Sequence, residues 1–288
     1  MKSQEEQWLL REKYDGVKTE DFFADCKALA LGTPLGYLIG QVPFLDCTIH
    51  LDNHPLIPRV ETEFWVELAI AAIKESQHLQ PALSGDPSGS SLAQSRLCEG
   101  GFGWGTQGAT ESGSSPTGRT PHILDLCAGS GCIGVAVAYA VPEAQVDFAE
   151  LNARLIPTIS TNCKANGVAH DRCTTYHSNL FEAIPAGTTY DFILSNPPYI
   201  DPAIDRATES VKSHEPHLAL YGGEGGIEII EQLITAAPDH LVPGGQLWIE
   251  HEPEQAAAIN DIARVHNFSA TNHKDQYEVV RYSILVLQ

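Results

Sequence analysis

Apolar and polar positions follow a succession of patterns along this chain, and each predicts a different kind of element. Residues 3–12 and 19–31 read as two short helices, and 43–58 as a pair of strands. From Glu61 to about Gln77 the apolar side chains fall at 64, 65, 68, 69, 72 and 73, the spacing of a helix that buries one face. From Pro121 onward short apolar runs alternate with helical patterns, as in a parallel sheet wrapped by helices. Residues 123–126, 144–150 and 190–194 are the clearest strands, a helix opens at 133–139, and 277–287 suggests a closing strand. The pattern breaks at 84–118, which is rich in Gly and Ser and has few apolar side chains. Such a segment cannot offset its ordering entropy by burial, so it is expected to be a disordered insertion. Its glycines make no nucleotide loop, because no strand precedes them and no helix follows.

Chemistry concentrates where strands end. Ser195-Asn196-Pro197-Pro198-Tyr199 follows the 190–194 strand, and open α/β sheets place ligands at the carboxyl ends of their strands. Asn196 offers a side-chain carbonyl acceptor. Pro197 and Pro198 lack N–H groups, so their carbonyls read as unencumbered, and Tyr199 adds an aromatic face. The group suits one task, holding a planar NH₂ by its hydrogens. A rigid turn leaving a strand is the plainer alternative.

A second motif decides between them. After the strand that carries Asp125, residues Cys127-Ala128-Gly129-Ser130-Gly131 form a small-residue loop opening a helix. Glycines let the backbone approach a ligand, and the helix start presents unpaired N–H groups. The loop lacks the third glycine of a dinucleotide fingerprint and the Lys-Ser/Thr of a phosphate loop. It therefore suits an uncharged nucleoside. The next strand ends in Glu150, about 20 residues after the loop, where an acid can accept both ribose hydroxyl hydrogens. Together the three parts describe a methyltransferase that uses S-adenosyl-L-methionine.

At this point the chain resembles the HemK/PrmC protein-(glutamine-N5) methyltransferases. The resemblance rests on Asn196-Pro197-Pro198-Tyr199 together with Leu56-Ile57-Pro58-Arg59-Val60-Glu61-Thr62-Glu63. Pro34-Leu35-Gly36-Tyr37, His214-Glu215-Pro216 with Gly222-Gly223, and Gly244-Gly245 to Glu250 with Gln255 add to it. It covers residues 25–76 and 120–288. The family methylates the glutamine of the Gly-Gly-Gln motif in class I peptide release factors, so such a factor is the implied partner and S-adenosyl-L-methionine the implied cofactor. The implied fold is α/β: a Rossmann-like class I methyltransferase with a seven-stranded, mostly parallel sheet whose last strand returns antiparallel. A short helical region (1–42) and a β-hairpin linker (43–60) would precede the methyltransferase domain (61–288). The helical region is shorter than is usual in the family. By the same resemblance Asp125, the 127–131 loop, Glu150, Leu151, Asn179, Leu180 and Asn196 would hold the cofactor. Asn196 to Tyr199, with Arg59 and Glu61, would hold the substrate. Glu150 and Asn179 each stand where the family commonly has Asp; both can still accept the required hydrogen bonds, Asn179 without charge. The same chemistry on another protein, a small molecule or a nucleobase is the alternative, and a non-catalytic cofactor-binding module a further one.

Composition narrows this reading. The formal net charge is −20, from 17 basic and 37 acidic residues, with no Lys/Arg-rich segment. That disfavours a grip on nucleic-acid backbones and suits a basic protein partner. Seven cysteines without a Cys-x-x-Cys pair read as reduced intracellular thiols, Cys127 and Cys132 as small core residues. His50/His54 and His214/His217 lie on no convincing helix face, so no metal is expected. The N-terminus resembles neither a secretion signal nor a transit peptide, and no apolar stretch is long enough to span a membrane. A cytoplasmic location follows, with the mitochondrial matrix, where eukaryotic relatives of the family work, as the alternative.

Overall fold

The structure, a computed structural model, describes residues 4–78, 119–204 and 208–288; the 84–118 insertion lies outside them. Three short helices come first: α1 (Gln4–Glu12), α2 (Glu20–Ala30) and α3 (Leu35–Ile39). Thr19 caps α2 by accepting the Phe22 N–H at 3.1 Å. The strand pair is a tight antiparallel hairpin, β1 (Gln41–Phe44) and β2 (Cys47–His50), and 51–59 is irregular. The hairpin thus ends at His50, earlier than 58, and the chain then turns through left-handed backbone at Asn53 (φ 63°) and His54 (φ 53°).

Helix α4 (Val60–His78) confirms the helical spacing but turns its buried stripe by a residue. The buried positions are Thr62, Trp65, Val66, Ala69, Ile70 and Ile73, while Leu68 is exposed. A polar threonine joins the stripe because its hydroxyl has a buried partner, described below.

The alternating part follows: β3 (His122–Leu126), α5 (Cys132–Ala140), β4 (Gln145–Glu150), α6 (Ile156–Ala165), β5 (Cys173–His177) and β6 (Tyr190–Ser195). Then come α7 (Glu209–His214), α8 (Glu228–Ala236), β7 (Leu241–Glu250), α9 (Ala256–Val265), β8 (Phe268–Lys274) and β9 (Val280–Leu287). The seven-stranded sheet has the order β5-β4-β3-β6-β7-β9-β8. Only β9 runs against the rest, pairing antiparallel with β7 and β8. Side chains alternate across the sheet. Ile123, Val146, Phe148, Phe192 and Leu194 pack toward α4, α5 and α6. Leu124, Ala149, Ile193, Leu247 and Ile249 pack toward α8 and α9.

The strand order reverses between β3 and β6. The chain moves outward through β4 and β5 on one side and through β7 on the other, so a crevice opens above that junction. Leu126 is in register with Ser195, whose hydroxyl donates to the Leu126 carbonyl at 2.7 Å. The loops leaving the two strands therefore start side by side. Among the described residues no helix is long and apolar enough to cross a membrane.

Candidate active site

Two cavities meet above the β3–β6 junction. The smaller, of about 420 Å³, is lined by Cys127, Ala128, Gly129, Ser130, Glu150, Leu151, Asn179, Leu180 and Asn196 among others. Left-handed backbone at Cys127 (φ 62°), Gly129 (φ 56°) and Gly131 (φ 78°) folds the loop tightly over the end of β3. Cys127 and Cys132 line this cavity rather than only filling core, and burial pushes the Cys127 thiol up to about 12.

Glu150 is nearly buried and accepts one backbone N–H on each oxygen, Asn152 at Oε1 and Gly129 at Oε2, both at 2.7 Å. Burial raises its pKa and these N–H groups pull the other way. Each oxygen keeps a lone pair for a further donor. Asn179 donates its NH₂ to Glu182 Oε1 at 2.9 Å, which leaves its carbonyl oxygen free to accept. Among the described residues no Lys or Arg lines the cavity, so it suits a nucleoside without phosphates.

Asp125 does not line the cavity, contrary to its sequence assignment. It lies buried beneath the loop, where Oδ2 accepts the Gly134 N–H at 2.8 Å in the first turn of α5. Oδ1 is buried without a partner, and burial pushes the carboxyl up to about 8. Asp125 shapes the loop and helix start from below.

The larger cavity, of about 590 Å³, is lined by Pro197, Tyr199, Arg59, Leu220 and Gln255 among others. Asn196 lines both cavities. Pro197 faces the larger one and Pro198 the smaller. The Pro198 carbonyl is not unencumbered: it packs against Gly222, where an added Cβ would come within 2.5 Å of it. Gln255 holds the far end of the motif, donating to the Tyr199 carbonyl at 2.7 Å and to Gly225 at 3.1 Å.

Arg59 lines the larger cavity and pairs at 2.6 Å with the buried Glu215, which also accepts the Ile57 N–H at 3.3 Å. Glu63 accepts the Leu45 N–H at 2.8 Å in the hairpin turn. Glu61 lines neither cavity, so its assignment to substrate binding is not met by the geometry. It is half-buried in the first turn of α4.

Sequence reasoning missed a buried hub behind Asn196. Glu250, at the end of β7, is 1% exposed and accepts three side-chain donors. Thr62 Oγ1 and Trp65 Nε1 donate to Oε2, both at 2.7 Å, and the Tyr199 hydroxyl donates to Oε1 at 3.0 Å. Burial raises the Glu250 pKa while these donors lower it. Thr62 in turn accepts from Asn196 Nδ2 at 3.2 Å. No local motif could have signalled this, since Thr62 and Glu250 are 188 residues apart. Among the described residues no group of three or more His, Cys, Asp or Glu side chains could hold a metal ion.

Comparison with known proteins agrees with this architecture. The family model described as "Methyltransferase small domain" matches residues 113–214. The chain is 38% identical over 162 residues to a ribosomal protein uL3 glutamine methyltransferase of Bordetella pertussis, covering 54% of each chain. It is 30% identical over 261 residues to a release factor glutamine methyltransferase of the same bacterium, covering 89% of this chain and 80% of that one. The chain thus spans about half the length of the uL3 enzyme and most of the release-factor enzyme. Among solved structures, the catalytic domain of human METTL16, in complex with an RNA hairpin, superposes with a TM-score of 0.55 at 12% identity. That match covers 84% of this chain and 75% of the other, and it speaks to the fold alone.

Proposed function

Since the chain belongs to the release factor glutamine methyltransferase family, we propose that it moves a methyl group from S-adenosyl-L-methionine to a glutamine side-chain nitrogen (N5), that of the Gly-Gly-Gln motif of a class I peptide chain release factor. The observation that carries the reading is Asn196 at the wall shared by two cavities, with its NH₂ end tied back to Thr62.

The residues of the smaller cavity fit the cofactor. Glu150 has two oxygens with spare lone pairs for ribose hydroxyls, Asn179 a free carbonyl for an adenine amino group, and the loop backbone room for close approach. When bound, S-adenosyl-L-methionine supplies an electrophilic methyl group on a sulfonium. What the protein must add is alignment, because an amide nitrogen is a poor nucleophile whose lone pair is delocalised into its carbonyl. Asn196 Oδ1 and the Pro197 carbonyl accept the two N–H bonds of the substrate amide, which aims the nitrogen and raises its electron density. As positive charge grows on that nitrogen, these fixed dipoles stabilise the transition state more than the ground state. The added acidity then releases one N–H proton to water, so no dedicated base is required. Tyr199 walls the pocket, and Arg59 fixes its rim through Glu215.

A second target has a specific observation in its favour: the 38% identity to the uL3 enzyme over half the chain. The test offers both purified substrates to the enzyme in one reaction with labelled cofactor. Label is expected in the release factor. Label confined to uL3 would move the assignment to that protein.

A further inference from the structure

An asparagine can serve as an acceptor for a substrate amide only if its oxygen, not its NH₂, faces the substrate. The two ends of the group are nearly isosteric, so packing alone does not choose between them. In the reading proposed above, that choice decides whether Asn196 helps or repels the substrate.

We propose that Trp65, Glu250 and Thr62 form a relay that fixes the Asn196 amide in its productive orientation. The geometry dictates each step. The Trp65 indole N–H can only donate, so the Glu250 oxygen it meets at 2.7 Å, Oε2, must accept. Thr62 meets that same Oε2 at 2.7 Å, so its single hydroxyl hydrogen is committed there. Only lone pairs remain on Thr62 Oγ1, and the Asn196 atom 3.2 Å away must therefore be the NH₂. The Asn196 carbonyl oxygen is left for the junction of the two cavities. Thr62 and Glu250 are positioning residues that act through Asn196, at 1% exposure each, with Trp65 fully buried behind them.

The relay requires that Oε2 carry no hydrogen: a proton there would face Thr62 Oγ1 and free the Thr62 hydroxyl for the Asn196 oxygen, whereas a bare oxygen accepts from both Trp65 and Thr62. A glutamine at 250 would likewise turn its oxygen to Trp65 and its NH₂ to the Tyr199 hydroxyl. This separates positioning from electrostatic stabilisation of the cationic nitrogen, which needs the negative charge.

The proposal rests on the reading of Asn196 as the substrate's acceptor, so the test has two readouts. The first is methyl transfer by the full-length enzyme from labelled S-adenosyl-L-methionine to a purified class I release factor, with cofactor Kd measured alongside. Thr62→Val, nearly isosteric, should lower kcat by about 10²-fold, the scale of a misplaced catalytic group, with cofactor affinity held within a few-fold. Thr62→Ser should restore activity to within about tenfold, and Glu250→Gln should lose less than about tenfold, one hydrogen bond's worth. The second readout needs no substrate: the Asn196 side-chain NH₂ signal in ¹⁵N NMR, assigned by its loss in Asn196→Asp. Its hydrogens should exchange with solvent faster in Thr62→Val than in the wild type. The relay is overturned by an unchanged kcat in Thr62→Val, by failure of serine to restore it, by a loss explained wholly by cofactor Kd, or by unchanged NH₂ exchange. A large loss in Glu250→Gln would transfer the role to charge. A wild-type enzyme that leaves the release factor unlabelled would refute the substrate reading and not the relay, which the NMR signal tests separately.

Discussion

Glu150 is held by two backbone N–H groups, one on each oxygen, and this makes it intolerant of its own amide. In Glu150→Gln either orientation sets an NH₂ against a backbone N–H, and one lone-pair site for the ribose is lost. Cofactor Kd, measured by calorimetry, should rise by about 10- to 10²-fold, the range for hydrogen bonds to a charged group. Asp125 predicts a pH effect. Burial pushes its carboxyl up to about 8, far above an unfolded aspartate. Between those values the folded chain holds a proton that the unfolded chain has released, so stability falls as pH rises through about 8. Asp125→Asn keeps an acceptor for Gly134 and removes the titration. The melting temperature of the wild type should therefore fall more steeply than that of the variant from about pH 5 to about pH 9. At this scale local patterns pointed to residues that the fold brings to the cavities: Asn196, Glu150 and residues 127–130 of the loop line them. Glu250 and Trp65 were not found that way, because their meaning comes from partners across the fold.

At the scale of elements, the hairpin is bound to the catalytic core by two asparagines one turn apart, Asn162 in α6 and Asn166 at its C-cap. Asn166 exchanges hydrogen bonds with the Thr48 backbone, N–H to Oδ1 at 2.9 Å and Nδ2 to carbonyl at 2.8 Å. Asn162 does the same with His50 at 2.8 and 3.1 Å, and its NH₂ also reaches the Ser130 carbonyl at 2.8 Å. These side chains stand in for a further strand along the open edge of β2. Asn162→Ala would orphan the His50 N–H and free the cofactor loop from the hairpin. A loss of about 1–3 kcal/mol is expected in chemical denaturation, together with weaker cofactor binding; an unchanged midpoint would contradict the clamp. The strands β3, β4 and β6 were legible as apolar runs because both of their faces are buried, and α4 because burial on one side gives it a helical spacing. Strand β5 was not, since Cys173-Thr174-Thr175-Tyr176-His177 sits at the sheet edge with no fully buried position and so carries no apolar alternation. The α4 stripe was misplaced by one residue because the Thr62 hydroxyl, bonded to Glu250, counts as buried only once that partner is known.

For the whole molecule, the parallel sheet brings the ends of β3, β4, β6 and β7 together, so that loops distant in sequence share one crevice. Alternating patterns implied such a sheet, whereas the two cavities and their common wall at Asn196 became visible only in three dimensions. The net charge of −20 is a property of the whole surface and bears on the partner. Attraction to a basic protein is screened within a Debye length of about 8 Å at physiological salt. Raising the salt should therefore increase KM for the release factor while leaving kcat nearly unchanged, and a salt-independent KM would mean that charge does not guide the encounter. The central claim is methylation of glutamine N5 at Asn196. The most direct test is transfer of label from S-adenosyl-L-methionine to a purified release factor, beside its Gly-Gly-Gln→Gly-Gly-Ala variant and beside an Asn196→Ala enzyme. The account predicts label only when the glutamine and Asn196 are both present, with the Asn196→Ala rate down by about 10²–10³-fold, the cost of removing one transition-state hydrogen-bonding group. Undiminished labelling of the alanine-substituted factor, or by the Asn196→Ala enzyme, would contradict it.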